Sequence, residues 1–265
     1  MVIIAKTKMK KLLIAFILFQ FLFLVSATGQ DNYEIQVYGS ETVPKHNTML
    51  ELHSNFTFSG SKTTVNGVLP TNHVFHETIE ITHGFNDWFE TGFYLFNTIG
   101  NNGRTSYVGS HIRPRIALPE KYHFPVGLSL SAEVGFQKRE YSEDDWSLEI
   151  RPIVDKTIQK WYLSLNPVLG KALHGLNSSE AFVFSPNAKV GYSLTKHLIP
   201  GLEYYGSVGA ITKFSAFQYQ QQQLFLALDL NYSDDWEFNA GYGLGFTNAT
   251  DRSIFKVIVG RRLHK

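Results

Sequence analysis

Long segments in which apolar and polar residues alternate dominate the chain from Leu50 onward. In Val126–Arg139 apolar side chains occupy every second position up to Phe136, and Trp236–Thr247 has the same pattern. A period of two predicts strands with two differently solvated faces. Segments of ten or more residues exceed the usual five or six of soluble sheets, and they match strands that cross a bilayer at a tilt of about 45°.

The same pattern recurs often enough to predict the fold class, an all-β protein. Because only helices and closed barrels satisfy their backbone hydrogen bonds in lipid, we expect a transmembrane antiparallel up-and-down β-barrel of about 12 strands over residues 49–265. The predicted strands are 49–58, 73–83, 88–98, 106–118, 126–139, 147–156, 161–170, 182–193, 201–210, 221–232, 236–247 and 253–263.

Residues 1–27 are typical of a cleaved secretory signal peptide. Four lysines precede the apolar run Leu12–Val25, which is shorter than a membrane-spanning helix and ends in small residues. The chain has no cysteine, which excludes a lipid-anchored cysteine and a disulfide framework. Without the signal the mature chain has 20 basic and 23 acidic residues, a formal charge of −3 that does not favour nucleic-acid binding. Residues 28–48 could form a lumen plug, a periplasmic arm or one further strand.

The connections between the predicted strands alternate in length. Those that follow 49–58, 88–98, 126–139, 161–170, 201–210 and 236–247 are on average the longer ones, as for outer loops when both termini are periplasmic. Trp88, Trp161 and Trp236 each begin a strand directly after one of the short turns. Their shared position predicts an aromatic belt at one membrane interface.

Polar residues on the inward phase are predicted to line the lumen. These charges could pair and pack a narrow barrel shut, or they could form a polar constriction that filters solutes. Both signs occur in similar number, so strong selectivity for anions or cations is not favoured. The predicted lining residues are Glu51, His53, His76, Glu80, His111, Arg113, Arg115, Glu133, Arg139, Glu149, Arg151, Asp155, Lys189, Glu203, Asp229 and Glu237.

The segment HVFHETIEITHG, residues 73–84, resembles a zinc-binding helix motif, because His76, Glu77 and Glu80 are closely spaced. On a strand, however, His76 and Glu80 face one way and Glu77 the other, so we expect no metal site here. The outward position of Glu77 is not explained by this register, and a bulge or a lipid-facing pocket there would account for it.

Four prolines are predicted to lie on the outward phase of strands, where each removes one donor from the hydrogen-bond ladder. We expect bends or bulges at these positions, and a lateral opening in the wall is a hypothesis. The residues are Pro114, Pro152, Pro167 and Pro186.

The stretch IEITHGFNDWFETGFYLF, the repeated turn followed by Trp, and strands such as FSPNAKVGYSL resemble Gram-negative outer-membrane barrels grouped as transporters of the meta-pathway of phenol degradation. The resemblance covers residues 50–263. It implies location in the outer membrane and passage of small, often hydrophobic or aromatic molecules, and it brings no catalytic residue. For a channel or transporter of this kind no cofactor is expected.

The favoured function is therefore a passive channel or transporter for small molecules. A closed structural or adhesive barrel is the alternative, and an outer-membrane barrel hydrolase is third because the sequence contains no His-x-Ser pair. Expected partners are outer-membrane lipid and lipopolysaccharide, the barrel-assembly machinery and a small solute, without nucleic acid.

Overall fold

The computed structural model describes residues 32–264 and contains a closed barrel of twelve long antiparallel strands. Each long strand pairs with its neighbours, β14 pairs with β1, and β8 pairs with β9 to close the wall. The predicted signal peptide, 1–27, lies outside the described residues. The wall strands are β1 (Thr48–Ser59), β2 (Val74–Asn86), β3 (Phe89–Ile99), β4 (Thr105–Ala117), β5 (Gly127–Gln137), β6 (Asp144–Ile158), β7 (Trp161–Gly175), β8 (Val183–Tyr192), β9 (Leu198–Ser207), β12 (Gln221–Leu230), β13 (Trp236–Gly245) and β14 (Ser253–Leu263).

A short hairpin, β10 (Gly209–Ala210) with β11 (Lys213–Phe214), lies between β9 and β12 and pairs with β8. Two single turns of 3-10 helix, Glu120–Tyr122 and Phe217–Tyr219, lie in connections. Within residues 32–264 no helix has the length and apolar character needed to cross a membrane.

The alternation along each strand separates an exposed apolar face from a buried polar face. On β1, Leu50 and Leu52 are exposed at 42% and 46%, whereas Glu51 and His53 are exposed at 7% and 0%. This is the reverse of a water-soluble sheet, and it suits a wall with lipid outside and a polar interior. The predicted transmembrane barrel is confirmed.

The two ends of the barrel differ in the length of their connections. We call the end with connections 60–73, 100–104, 138–143, 176–182, 208–220 and 246–252 the loop end. The opposite end, with connections 87–88, 118–126, 159–160, 193–197 and 231–235, is the turn end. β1 begins and β14 finishes at the turn end.

Residues 32–47 contain no strand and run through the barrel interior from the loop end to the turn end. At the loop end Asn32 Nδ2 donates to Asp251 Oδ2 at 2.7 Å. At the turn end Val43 N donates to Glu90 Oε2 at 2.6 Å, and His46 N donates to the carbonyl of Gly84 at 2.7 Å. Asn32 therefore lies at the loop end, and the expected first residues of the mature chain, 28–31, lie outside the described residues.

Pro114, Pro152 and Pro167 lie at gaps in strand pairing that do not shift the register, whereas Pro186 pairs with Pro167 in an unbroken ladder. The ladder of β4 with β5 skips from Ile112 to Arg115, and that of β6 with β7 skips from Ile150 to Val154, with the same offset on both sides of each gap. No register shift, and hence no bulge, occurs at Pro114, Pro152, Pro167 or Pro186. The expected bulges are thus wrong, because losing a donor opens the ladder locally, and the lateral opening stays a prediction.

The outward Glu77 is explained by a neighbour. Ser54 lies directly opposite Glu77 on β1 and donates from Oγ to Glu77 Oε1 at 2.7 Å. The only register shift between β2 and β3 lies at Gly84/Asn86, so no bulge is needed at Glu77.

Candidate functional site

The lumen of the barrel is occupied by residues 32–44, which we call the lumen segment. Its backbone is hydrogen-bonded by polar side chains of the wall, since a buried backbone outside a sheet needs other partners. Asn166 Oδ1 accepts from Tyr38 N at 2.8 Å, and Ser164 Oγ donates to the Tyr38 carbonyl at 2.6 Å. Thr78 Oγ1 donates to the carbonyl of Tyr33 at 2.6 Å. The segment is thus held by side chains rather than by a strand ladder.

Cationic side chains of the wall bind further carbonyl groups of the segment. Arg115 Nη1 donates to the Gly39 carbonyl at 3.1 Å, and Lys256 Nζ donates to the Ile35 carbonyl at 3.0 Å. Hydrogen bonds from charged donors are stronger than neutral ones. These inward cationic side chains therefore pair with carboxylates of the wall and also bind the backbone of the segment.

Tyr38 forms the centre of the lumen segment. Three guanidinium carbons lie near its ring centroid, those of Arg113 at 4.5 Å, Arg151 at 4.8 Å and Arg115 at 5.8 Å. Its hydroxyl donates to Glu34 Oε1 at 2.6 Å. Cation–π attraction is strongest where water is excluded, and Tyr38 is buried.

Two small apolar clusters fix the segment on either side of Tyr38. Ile35 and Val37 pack with Tyr205, Phe225 and Ile254, while Tyr33 packs with Tyr94, Phe96 and Val108. The interior is consequently a mixture of ion pairs, which were one of the alternatives predicted from sequence, and aromatic contacts, which were not predicted.

Two open vestibules lie on either side of this barrier. The loop-end vestibule has a volume of about 720 Å³ and is lined by Asn32, Tyr33 and residues of the loops. The turn-end vestibule has a volume of about 710 Å³ and is lined by residues 40–45 and the connection 117–127. A third cavity of about 160 Å³ lies beside Glu34 and is lined by residues of β3 to β8. The lumen segment separates the two large spaces.

At the loop end Asp251 ties the start of the segment to the loops. It accepts from Asn32, from Thr71 Oγ1 at 2.7 Å and from the Ser61 amide at 3.2 Å. Burial raises the pKa of the Asp251 carboxyl above its ordinary value, against these hydrogen bonds, which lower it.

The predicted lumen residues fall into three groups. Buried are Glu51, His53, His76, Glu80, His111, Arg113, Arg115, Glu133, Arg151 and Glu203. Partly buried are Glu149, Asp155, Lys189, Asp229 and Glu237. Arg139 is the exception: β5 ends at Gln137, and the Arg139 side chain is 53% exposed in the loop, where it pairs with Asp145.

Ion pairs join most of these side chains across neighbouring strands. Arg113 Nη2 lies 2.6 Å from Glu80 Oε1, and Arg115 Nε lies 2.7 Å from Glu90 Oε1. On the opposite wall Glu203 binds Lys256 and lies 3.1 Å from Lys189 Nζ. His76 makes no such pair and instead contacts the ring of Tyr33 edge-on at 4.9 Å.

Sequence reasoning did not identify Glu34, Glu90 and Lys256 as residues of the interior. Glu90 and Lys256 are fully buried and lie on the inward phase of β3 and β14, so strict use of the alternation would have found them. Glu34, which pairs with Arg151 at 3.6 Å, lies on the lumen segment. Both faces of residues 33–40 are buried or partly buried, so alternation there did not reveal the environment.

The three tryptophans of the predicted belt lie at the turn end. Trp88, Trp161 and Trp236 are exposed at 49%, 49% and 38%. Trp161 contacts Tyr192 edge-on and Trp236 stacks on Phe238. Their role as a membrane-interface belt stays a prediction.

Comparison with solved structures places the fold among porins and outer-membrane channels. The "COG4313 outer membrane channel from Pseudomonas putida F1" matches with a TM-score of 0.53 and 12% identity, covering 87% of this chain and 100% of that one. The "KdgM porin" and the "NanC porin" each match with a TM-score of 0.52 and 10% identity, covering 82% of this chain and 99% of theirs. The barrel has a porin-like fold. At this identity the likeness concerns the fold alone.

No family model matches the chain, and no curated protein matches it. The sequence resemblance to the phenol-degradation transporters is therefore not confirmed beyond the porin-like fold.

Proposed function

We propose that the protein is a passive outer-membrane channel for small molecules whose lumen is closed by the lumen segment. One observation carries this proposal: two vestibules of about 720 and 710 Å³ lie in line and are separated by a single stretch of chain. The porin-like fold supports the outer-membrane location. Transport would follow when the segment moves aside and the vestibules join.

The way in which the segment is held supports its displacement. Its hydrogen bonds to β2, β4, β7 and β14 come from side chains, so its departure leaves every ladder of the wall intact. Water and neighbouring carboxylates can then solvate the freed arginines. The wall strands, by contrast, cannot move apart without breaking backbone hydrogen bonds in lipid.

The solute class is a narrower proposal that rests on the sequence resemblance. Small aromatic or hydrophobic solutes are the class which that resemblance implies. We assign the protein no enzymatic role. In the membrane the exposed apolar face would contact outer-membrane lipid, and the loop end would face lipopolysaccharide.

A disulfide between the segment and the wall tests the proposal. A Cβ built on Gly127 lies 3.1 Å from Ser40 Cβ, close to the 3.5–4.5 Å found in disulfides. The native chain has no cysteine, so S40C/G127C contains the only two thiols, and the Asp155 carboxylate beside them must swing aside. In planar bilayers we expect the oxidised double variant to be closed and reduction with dithiothreitol to restore channel openings.

The single variants S40C and G127C serve as controls, and their currents should not respond to reduction. Equal currents from the oxidised and the reduced double variant, with the disulfide verified by mass spectrometry, would show that the segment is not the gate.

A further inference from the structure

A buried cluster on adjacent strands has the ligands of a divalent metal site. Glu51 and His53 lie on β1, and Glu80 lies directly opposite Glu51 on β2. One ligand atom from each of the three lies within 4.8 Å of the other two, and all three side chains are buried.

His53 supplies an independent sign that a ligand belongs here. Its side chain is 0% exposed, and within residues 32–264 neither ring nitrogen makes a hydrogen bond of good geometry. The Nε2 atom lies 3.4 Å from Glu80 Oε2, an oxygen that also lacks a hydrogen bond. Two ligands of a tetrahedral zinc ion, at bond lengths of about 2.0–2.1 Å, lie about 3.3 Å apart. The distance between His53 Nε2 and Glu80 Oε2 therefore matches the distance between two ligand atoms of one zinc ion.

The other oxygen of Glu80 already has partners. Arg113 Nη2 and Thr82 Oγ1 approach Glu80 Oε1 at 2.6 and 2.7 Å. These contacts fix the carboxylate and aim its second oxygen at His53, as outer partners orient a metal ligand.

A glycine makes room for a further carboxylate. Gly260 on β14 lies directly opposite both Glu51 and Glu237. A Cβ at Gly260 would meet Glu51 Cγ at 2.9 Å and Glu237 Cβ at 3.2 Å, so both glutamates lean over the glycine.

Around the cluster, two carboxylates have no cation that pairs with them. Glu80 pairs with Arg113, and the neighbouring Glu90 pairs with Arg115. Within residues 32–264, no ion pair joins Glu51 or Glu237 to a cation. Holding the buried Glu51 and the partly buried Glu237 without a cationic partner is costly, although Gln36 Nε2 donates to Glu237 Oε1 at 3.3 Å, and one divalent cation would neutralise both carboxylates.

We infer that Glu51, His53 and Glu80 bind one late first-row divalent metal ion, with Zn²⁺ as the probe, and that Glu237 flanks the site. An imidazole with a few carboxylates suits zinc, whereas Ca²⁺ takes six to eight oxygen ligands. The site belongs to the closed barrel and does not depend on whether the lumen conducts.

Calorimetric titration of the refolded, tag-free and chelator-treated protein in detergent tests the inference. We expect one high-affinity Zn²⁺ per chain and much weaker binding of Ca²⁺. H53Q and E51Q should each weaken Zn²⁺ binding by about a hundredfold or more, since even outer partners of metal ligands contribute about 10- to 100-fold. Zinc should also raise the unfolding temperature of the wild type but not of these variants.

H111Q is the matched control, because His111 is also buried in the lumen but pairs with Glu133 at 2.5 Å. This variant should keep the high-affinity site. E51Q replaces a carboxylate by an amide of the same shape, so it keeps the test decisive if H53Q does not fold. Absence of stoichiometric zinc binding by the wild type, or equal binding by the wild type and E51Q, would overturn the inference.

Discussion

Removal of residues 32–44 should convert a mostly closed barrel into one that carries sustained current. The two vestibules would then join into one water-filled lumen, and no wall strand would lose a ladder hydrogen bond. If the segment is bound about 99% of the time, its removal raises the open fraction about 100-fold. Single-channel recording in planar bilayers and swelling of solute-loaded liposomes measure the effect.

Adding the segment back provides the control for this deletion. A synthetic peptide of residues 32–44 should block the open variant, whereas a scrambled peptide of the same composition should not. Folding is checked by the heat-dependent shift of the barrel on gels. A folded deletion variant without current would instead indicate that the wall charges close the lumen by themselves, in favour of the structural barrel.

Substitution E203Q should give the largest loss of stability of any single isosteric change in the lumen. Lys256 is fully buried, and within residues 32–264 the carboxylate that pairs with it is Glu203; it also donates to the Ile35 carbonyl and the Tyr205 hydroxyl. Removing one member of a buried ion pair leaves the other charge buried without a partner, which lowers the free energy of unfolding by about 3–5 kcal/mol. Urea unfolding in lipid vesicles, followed by tryptophan fluorescence, measures the change in the free energy of unfolding.

Variants of the partner lysine test the cause. K256M should lower the free energy of unfolding by less than E203Q does, because Glu203 still pairs with Lys189 Nζ at 3.1 Å. The double variant E203Q/K256M should recover much of the loss, so the two changes should not be additive. D235N, which removes an exposed pair with His264, should leave the unfolding midpoint unchanged. A stability of E203Q equal to that of the wild type would mean that lumen water solvates Lys256.

The wall strands were predictable because their signal is local. A strand between lipid and a polar interior must alternate residue by residue, so segments such as 126–139 and 236–247 reveal β5 and β13 to within about two residues. The inward phase likewise identified Glu80, Arg113 and Arg151 as interior residues. Arg139 was misplaced because alternation continues past the last ladder residue, and periodicity does not mark where pairing stops.

Sequence alone therefore determined the barrel, its inward face and the difference between its two ends. Only the tertiary structure decided what fills the lumen, because the lumen segment is held by side chains of distant strands and both faces of residues 33–40 are buried or partly buried. Only the tertiary structure also decided which side chains lie near Glu80 of the apparent zinc motif in residues 73–84. Alternation separates Glu77 from Glu80, while strand register brings Glu51 and His53 to Glu80 from β1. Register is a pairing between strands, and no local spacing specifies it.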